Sequence, residues 1–365
     1  MMNTDPFPVA PPPVPPKAVA QVKPAHPLKE AGTYAQMFFL AAVAWAAVVY
    51  GKTEAFATFS IIFSSIILEA MPFMLMGTLL GGLVDVFLSR ERLVSILPKS
   101  PGKAIVLAAF MGMLFPVCEC AIVPVVRKFI QKGMPLGSAV VFLLAGPIVN
   151  PLVFSSTLVA YAYSWETAIL RTLTGAAVAI GIGFLIHSVI SEKEALLPET
   201  RPLKNGCSHC GSSDCGHDHS DLSGRPFSKK LMAALSHGAL DFYDIARFLI
   251  IGAFIAAALQ TFIPRQAFFS VASGSVAAIA LMMILAVVLN LCSEADAFIA
   301  ASLSPIGIPF TAQMAFMVLG PMLDLKLILM YMSVFTRKMI LILSLSTLTF
   351  VFMAMLFMEG ALTWL

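Results

Sequence analysis

Two clusters of thiol and carboxyl side chains lie within apolar stretches of this sequence. The first is Cys118-Glu119-Cys120, in the middle of AIVLAAFMGMLFPVCECAIVPVV, and the second consists of Cys292, Glu294 and Asp296. Thiolates are ligands for soft metals and metalloids, and an ionisable group at membrane depth is costly and usually functional. We therefore predict that both clusters bind substrate, with carboxyl groups that bind or relay a proton. The alternative is a structural ion pair between one of these acids and Arg127 or Lys326.

A repeated Gly-Pro motif predicts two broken helices. GPIVNP begins at Gly146, midway along an apolar stretch, and GPMLD begins at Gly320. Proline lacks an N–H and crowds the preceding turn, so each helix should break there. Since lipid cannot satisfy the freed carbonyls, they should face the interior, where transporters bind substrate. A packing kink is the alternative. The motif adds six predicted substrate-binding residues: Gly146, Pro147, Asn150, Gly320, Pro321 and Asp324.

A further set of candidate ligands lies in the polar segment 191–236, within CSHCGSSDCGHDHS. It contains three thiols and three imidazoles: Cys207, His209, Cys210, Cys215, His217 and His219. This density suits soft or borderline metals, although the spacing fits no zinc-finger pattern. We predict a flexible metal or metalloid collector, with a nonfunctional tract or a redox-sensitive thiol cluster as alternatives. No other cofactor is required by the sequence.

The composition predicts the elements that must position these residues. Hydrophobic residues make up 59% of the 365 and charged residues 12%, whereas a soluble domain carries roughly 25% charged residues. The chain is therefore predicted to be an all-α polytopic membrane protein, with the lipid bilayer as its surroundings. Its basic residues flank apolar runs and form no stripe with interleaved aromatics, which argues against nucleic-acid binding.

The pattern of apolar segments divides the chain into four parts. These are a disordered Pro-rich tail (1–33), a first membrane repeat with an extra N-terminal helix (34–190), the Cys/His-rich loop (191–236) and a second membrane repeat (237–365). A spanning helix needs about 20 apolar residues. The candidate segments are 34–50, 56–88, 104–126, 135–163, 166–190, 239–262, 271–301, 310–334 and 339–358.

The second membrane repeat matches the first at a constant offset of 174 residues. This offset pairs Cys118 with Cys292, Gly133 with Gly307, Pro135 with Pro309, Gly146 with Gly320 and Asn150 with Asp324. Glu69 and Asp244 correspond at an offset of 175 and are weaker candidates, each expected near a helix end. Asp85 is expected to be solvated at an interface. Internal duplication of this kind is common in transporters.

The positions of Lys and Arg predict the topology. If every segment crosses, basic residues divide evenly between the two sides. If 104–126 and 271–301 re-enter instead, almost all of them fall on the N-terminal side and only Lys52 and Arg265 fall opposite. Cytoplasmic loops are enriched in Lys and Arg. We therefore predict seven spans and two re-entrant or broken hairpins, halves of opposite orientation (an inverted repeat), and a cytoplasmic N-terminus and central loop.

Three blocks of the sequence resemble a known family. FPVCECAIVPVVRKFIQKGMPLGSAVVFLLAGPIVNPLV, LCSEADAFIAASL and LGPMLDLKLILMY are similar to the bacterial predicted-permease family that includes the methylarsenite efflux permeases. The resemblance runs from about Ile61 to Phe352. It implies an inner-membrane permease, with organoarsenical export as the best-characterised activity of the family. The Pro-rich tail is not part of the family's pattern, and the Cys/His loop is a variable region.

We expect a permease, not an enzyme, that exports a soft metalloid or metal species such as a trivalent organoarsenical. No GxxxxGK[ST] motif occurs, so a gradient, for example of protons, or a partner must supply the energy. One alternative is a zinc or copper transporter fed by the Cys/His loop. Another is a membrane redox relay that uses Cys118 and Cys120 as a dithiol.

Overall fold

A computed structural model describes residues 53–88, 100–114, 118–198, 227–262 and 275–364, together with Leu93, Ser95, Pro98, Thr200 and Arg201. Within these residues the regular structure is helical, and extended pairing is limited to an isolated bridge between Leu196 and Phe335. The predicted all-helical fold is confirmed. The Pro-rich tail, the apolar segment 34–50 and the candidate metal ligands at 207–219 lie outside the described residues.

In the described residues the first repeat contains six main helices. They are α1 (Glu54–Phe87), α2 (Pro101–Leu114), α3 (Glu119–Gln131), α4 (Leu136–Ala145), α5 (Pro151–Ala160) and α6 (Trp165–Val189). A single turn, α7 (Glu192–Ala195), follows α6. Packing of α4 against α2 and α6 forms the centre of this half, and the whole of α4 is buried.

The second repeat follows the same order. Its helices are α8 (Phe227–Phe262), α9 (Ser275–Leu289), α10 (Ala295–Ser302), a 3₁₀ turn (Ser304–Ile306), α11 (Phe310–Leu319), α12 (Leu325–Tyr331) and α13 (Arg337–Trp364). The correspondence extends to turn geometry. Gly133 and Gly307 both adopt left-handed conformations, with φ of 96° and 88°, and both are followed two residues later by the proline that starts the next helix.

Four helices in the described parts of the chain are long and apolar enough to cross a membrane, and they are α1, α6, α8 and α13. The predicted spans 135–163 and 310–334 are each two short helices, as their Gly-Pro motifs indicated. In the first repeat Asn150 caps α5 by accepting a hydrogen bond from the Leu152 N–H at 3.0 Å, and Pro151 is the first residue of α5. A proline is tolerated at this position because its missing N–H would have had no partner within the helix.

The hairpin formed by α2 and α3 returns to the end of α1. Beyond the last turn of α3, Lys132 Nζ donates hydrogen bonds to the carbonyl oxygens of Asp85 at 2.7 Å and Leu88 at 2.6 Å. A segment that crossed the membrane would carry Lys132 to the far end of α1. The contact therefore favours the re-entrant path over a crossing one.

Corresponding helices of the two repeats run antiparallel. The Phe59 ring contacts Phe254, so the start of α1 lies beside the end of α8. A Cβ on Gly82 would lie 2.2 Å from the Ala234 carbonyl oxygen, so the end of α1 lies beside the start of α8. The same holds for α6 and α13. The Thr336 N–H, just before α13, donates to the Ala195 carbonyl at 2.9 Å. Antiparallel counterparts are what an inverted repeat requires.

Candidate functional site

A small cavity brings the two predicted thiol–carboxyl clusters together. Its lining consists of Ile66, Glu69, Ala70, Phe73, Cys118, Glu119, Cys120, Asn290, Cys292 and Lys326. The cavity measures about 10 Å³, which is roughly the space needed for one water molecule. Three thiols, two carboxyl groups and an ammonium group thus meet beside α1, at the segments that precede α3 and α10.

The local backbone explains why the thiols point into this cavity. Cys118 is the residue that precedes α3, and Glu119 and Cys120 form its first turn. Four N–H groups at a helix start lack partners within the helix and make that end electropositive. Both thiols are therefore placed at the start of α3, where they are buried beside Glu119.

Glu119 is held by a cation from the other repeat. Its Oε1 lies 3.2 Å from Lys326 Nζ, and the two side chains are 1% and 4% exposed. Lys326 Nζ is also 3.5 Å from Asp324 Oδ2. Two buried carboxylates therefore share one ammonium group. Loss of any of the three groups would leave a buried charge without its partner.

Asp324 and Asn290 complete this network. Asp324 Oδ1 accepts a hydrogen bond from the Leu327 N–H at the start of α12. With its amide nitrogen turned toward the carboxylate, Asn290 donates to both Asp324 oxygens at 3.0 and 2.6 Å. Because Asn290 also lines the cavity, Asp324 is connected to the thiols through Asn290 and Lys326 without lining the cavity itself.

Ser293 connects the two repeats at equivalent positions. Its hydroxyl lies 3.3 Å from Glu119 Oε2, and the two residues are 174 positions apart, the offset of the duplication. A residue that touches its own counterpart lies next to a two-fold axis. Consistent with this, α3 packs on α12 of the second repeat, and its counterpart α10 packs on α5 of the first. The cavity therefore lies where the repeats exchange contacts.

Arg171, on α6, binds two backbone segments of the second repeat. Its Nη1 donates to Thr157 Oγ1 at 2.8 Å, and its Nη2 donates to the carbonyl oxygens of Ser293 at 2.9 Å and Met317 at 3.0 Å. The same Nη2 is 3.9 Å from Asp296 Oδ2. Arg171 thus contacts the segment before α10, the last turns of α11 and Asp296, an acid predicted from the sequence.

The remaining predicted residues take several places. Glu294 is half-buried, with Oε2 3.4 Å from the Ser293 hydroxyl. Asn150 serves as the cap of α5 described above, away from the cavity lining. Gly146 and Gly320 end α4 and α11, and each is followed by the proline of the break. The predicted set thus divides into cavity-lining groups, groups one contact away, and the backbone breaks that create the space.

Three expectations about single acids are wrong. Glu69 lies in the middle of α1, where it lines the cavity, and Asp244 lies in the middle of α8; the sequence had suggested helix ends for both. Asp85 is not simply solvated. Its carboxylate lies 3.0 Å from His237 Nδ1, 3.6 Å from Lys128 Nζ and 3.7 Å from Lys132 Nζ.

The basic residues after Val126 were counted as loop charges, and the structure buries two of them. Arg127 and Lys128 lie within α3 and are 4% and 2% exposed. Lys128 Nζ is 2.8 Å from Asp241 Oδ2 on α8, and Arg127 Nη1 is 4.0 Å from Asp241 Oδ1. These pairs fix the far end of α3 between α1 and α8, so their role is structural. The alternative partner predicted for the acids, Arg127, is therefore excluded for Glu119, whereas Lys326 is its partner.

Sequence reasoning missed three polar residues at the site. Asn290 and Arg171 received no role, and Lys326 was considered only as a structural counterion. The available signal was the same for all three, since each is a polar or charged residue inside an apolar run, and such residues mark functional positions in membranes.

In the described parts of the chain, no group of three or more His, Cys, Asp or Glu side chains is arranged to hold a metal ion. The cavity thiols and carboxylates are therefore not a preformed metal cage. The six candidate ligands of the Cys/His loop lie outside the described residues, and the metal collector stays a prediction.

Comparison with known proteins shows the family of the chain. The model of a family described as predicted permease matches residues 55–359. A protein of Streptococcus mutans named putative two-component membrane permease complex subunit is 37% identical over 77% of this chain and 88% of its own length. The Bacillus subtilis protein named UPF0718 protein YcgR is 35% identical over 80% of this chain and 93% of its own. No solved structure matches the chain.

Proposed function

This chain belongs to the predicted-permease family, and on that premise we propose that it exports a soft, thiol-binding metalloid species such as a trivalent organoarsenical. Membership makes it a multi-pass membrane transporter. The single observation that carries the choice of substrate is the cavity in which Cys118, Cys120 and Cys292 converge. Soft thiolate ligands select soft metals and metalloids.

The chemistry expected at the cavity is ligand exchange at arsenic. A monomethyl arsenical with two hydroxyl groups can form two As–S bonds. Each bond forms as a thiol proton and an arsenic-bound hydroxyl leave together as water. The adjacent thiols of Cys118 and Cys120 supply one pair, and Cys292 from the other repeat supplies a third thiol to which one As–S bond can pass. A cavity with room for about one water molecule must widen to admit such a ligand.

Release reverses this exchange: as each As–S bond breaks, water supplies a hydroxyl group to arsenic and a proton to the thiol. Glu119 and Glu69 line the cavity, Glu294 lies 3.4 Å from the Ser293 hydroxyl, and Asp296 pairs with Arg171. Carboxyl groups held at membrane depth are common parts of proton relays. We propose that Glu119, Glu294 and Asp296 pass protons to and from this exchange and that inward proton flow through them drives export.

We further propose that the two repeats are inverted, with the N-terminus and central loop in the cytoplasm of a bacterial inner membrane. The antiparallel course of α1 against α8 and of α6 against α13 supports this arrangement, as does the return of α3 to the end of α1. Single cysteines placed at Lys132 and Lys338 should react only with reagents applied from the cytoplasmic side. Labelling of either from the periplasmic side would contradict the topology.

Transport in everted membrane vesicles tests the proposed function. Methylarsenous acid should accumulate in vesicles containing the wild-type chain when a proton gradient is imposed, and pentavalent methylarsonate, which lacks affinity for thiols, should not. Replacing both Cys118 and Cys120 with Ser should abolish accumulation, because one remaining thiol cannot form the two bonds. Equal accumulation by the double variant would overturn the thiol mechanism.

A binding measurement separates substrate recognition from transport. Phenylarsine oxide should protect Cys118, Cys120 or Cys292 of the purified chain from alkylation, as read by mass spectrometry of the peptides. Alkylation unaffected by phenylarsine oxide, in protein that retains its helical spectrum, would reject the arsenical and leave the wider permease assignment in place.

A further inference from the structure

Asp296 and Arg171 form a buried pair that is separate from the cavity and unusually incomplete. Both side chains are 1% exposed, yet Asp296 Oδ2 and Arg171 Nη2 are 3.9 Å apart, beyond hydrogen-bonding distance. Asp296 Oδ2 has no hydrogen-bond donor. A buried carboxylate oxygen without a donor is costly, and such groups persist where they have a function.

The Arg171 nitrogen nearest to Asp296 has no hydrogen left for it, since Nη2 carries two hydrogens and donates to two carbonyl oxygens. Arg171 Nη1 donates to Thr157 and its Nη2 to the Ser293 and Met317 carbonyls. The guanidinium group is therefore held in place by α5, by the break before α10 and by the last turns of α11. It supplies positive charge to Asp296 while its hydrogen bonds are used elsewhere.

Gly320 creates the space for the carboxylate. A Cβ at position 320 would lie 2.6 Å from Asp296 Oδ2, closer than atoms tolerate. The acid thus rests directly on the backbone of the second Gly-Pro break. A change in the charge of Asp296 would act on the segment that forms this break.

A continuous chain of contacts connects Asp296 with the cavity. Arg171 pairs with Asp296 and donates a hydrogen bond to the Ser293 carbonyl oxygen. The Ser293 hydroxyl bonds Glu119, and Glu119 pairs with Lys326 in the cavity wall. The charged groups that act on Asp296 are Arg171, Glu119, Asp324 and Lys326. Asp296 and the thiol site therefore share the same set of charges.

We infer that Asp296 is the binding site of the coupling proton and that Arg171 is the positioning residue through which its protonation acts on the substrate cavity. This rests on the proposed function and deepens it. When Asp296 is ionised, its charge neutralises that of Arg171, and Glu119 pairs with Lys326. When Asp296 takes a proton, Arg171 is unbalanced and Ser293 and Glu119 are drawn toward it, which loosens the Glu119–Lys326 pair. Coupling of this kind is reciprocal, so substrate binding also changes proton binding at Asp296.

The test uses the full chain in proteoliposomes and compares two modes of methylarsenous acid movement. Exchange between equal concentrations on both sides needs no proton gradient, whereas net accumulation does. In Asp296→Asn, which imitates the protonated acid, the ratio of gradient-driven accumulation to exchange should fall by about tenfold or more, within the range of coupling between sites. Arg171→Lys, which keeps the charge but not the three bonds, should shift the pH profile of exchange. Glu359→Gln, a neutralised acid outside both sites, is the matched control and should change neither.

A second readout does not depend on the substrate. Infrared difference spectra of the purified chain during a pH titration should contain a carbonyl band from a protonated carboxyl group that disappears in Asp296→Asn and remains in Glu359→Gln. If this band is present but methylarsenous acid is not moved, the proton site stands and the proposed substrate fails. If the arsenical is transported while Asp296→Asn keeps the wild-type dependence on the gradient, or loses exchange as well, the inference about Asp296 is overturned.

Discussion

Equivalent glycines of the two repeats contact different side chains. In the first, Ile122 Cδ1 lies 2.2 Å from where a Cβ of Gly146 would be; in the second, Asp296 Oδ2 lies 2.6 Å from the Cβ position of Gly320. Both pairs are related by the offset of 174 residues. The duplicated scaffold thus keeps its backbone contact while one copy is apolar and the other is charged. A shared fold can therefore hold an asymmetric site.

The helix caps differ in the same way. Asn150 and Asp324 each accept a hydrogen bond from the helix that follows, so both perform the same local task. Only the second is a carboxylate, and it lies 3.5 Å from Lys326 Nζ. The equivalent of Lys326 in the first repeat is Leu152, which is 52% exposed. The cap therefore belongs to an ion pair only in the second copy.

The largest expected effect comes from removing the cation of the second repeat. Lys326→Met leaves Glu119 and Asp324 buried without their shared ammonium group, and breaking a buried pair in this way costs about 3–5 kcal/mol. Thermal unfolding of the purified protein in detergent measures the loss. The matched change in the first repeat, Leu152→Met, should be nearly neutral. Similar losses in both variants would show that the asymmetry of charge has no energetic consequence.

The glycine contacts can be broken one repeat at a time. Gly146→Ala and Gly320→Ala each force an atom into occupied space, at a cost of about 1–3 kcal/mol. Shortening the apolar neighbour with Ile122→Val removes the colliding Cδ1 and should recover part of the loss in Gly146→Ala. Gly320→Ala should in addition change proton-driven transport, because it displaces Asp296. Equal transport by the two glycine variants would contradict a special role for the second break.

Replacing Asp324 with Asn removes the charge but keeps the helix cap, so it measures the contribution of the ion pair to stability. Asp324→Asn can still accept the Leu327 N–H but no longer balances Lys326, and we expect a loss of about 1–3 kcal/mol, as for hydrogen bonds to charged groups. Asp324→Ala should lose more, since the cap itself contributes about 1 kcal/mol. Unfolding midpoints for both variants, measured beside Asn150→Ala, compare the cap alone with the cap plus charge. Equal midpoints for Asp324→Asn and Asp324→Ala would mean that the cap bond contributes nothing.

The smallest effect is expected at the contact between equivalent positions. Ser293→Ala removes the 3.3 Å hydrogen bond to Glu119 but keeps the backbone carbonyl that binds Arg171, so the cost should be about 0.5–1.5 kcal/mol. Proton-driven accumulation should fall more than exchange, because the Ser293 hydroxyl is the contact that joins the Arg171 side of the network to Glu119. Unchanged proton dependence in this variant would show that the hydroxyl does not carry the coupling.

Much of the architecture could be predicted from the sequence because it follows from local composition. Apolar runs with few charges form helices in a bilayer, and the Gly-Pro motifs interrupted the helices where predicted because proline acts on its own turn. The duplication was visible as a constant offset. Cys118 and Cys292, which are matched by this offset, line the same cavity.

The partners of the charged residues could not be predicted in this way. Lys326 is 207 residues from Glu119, and Arg171 is 122 residues from Ser293, so no spacing in the sequence relates them. The same limit explains why Arg127 and Lys128 were counted as loop charges, since their burial depends on Asp241 of another helix. The position of Glu69 was available from the sequence, since the predicted segment 56–88 already placed it well inside a span.

The sequence by itself determined that this is a duplicated helical membrane protein with thiols and carboxyl groups in its apolar segments, because helix formation, helix breaking and insertion into lipid depend on neighbouring residues. Only the tertiary structure decided which acid pairs with Lys326, which lies beside Arg171 and which faces the thiols. Those choices depend on how helices from the two repeats pack across a shared axis, and a buried charge takes the partner that packing brings within reach.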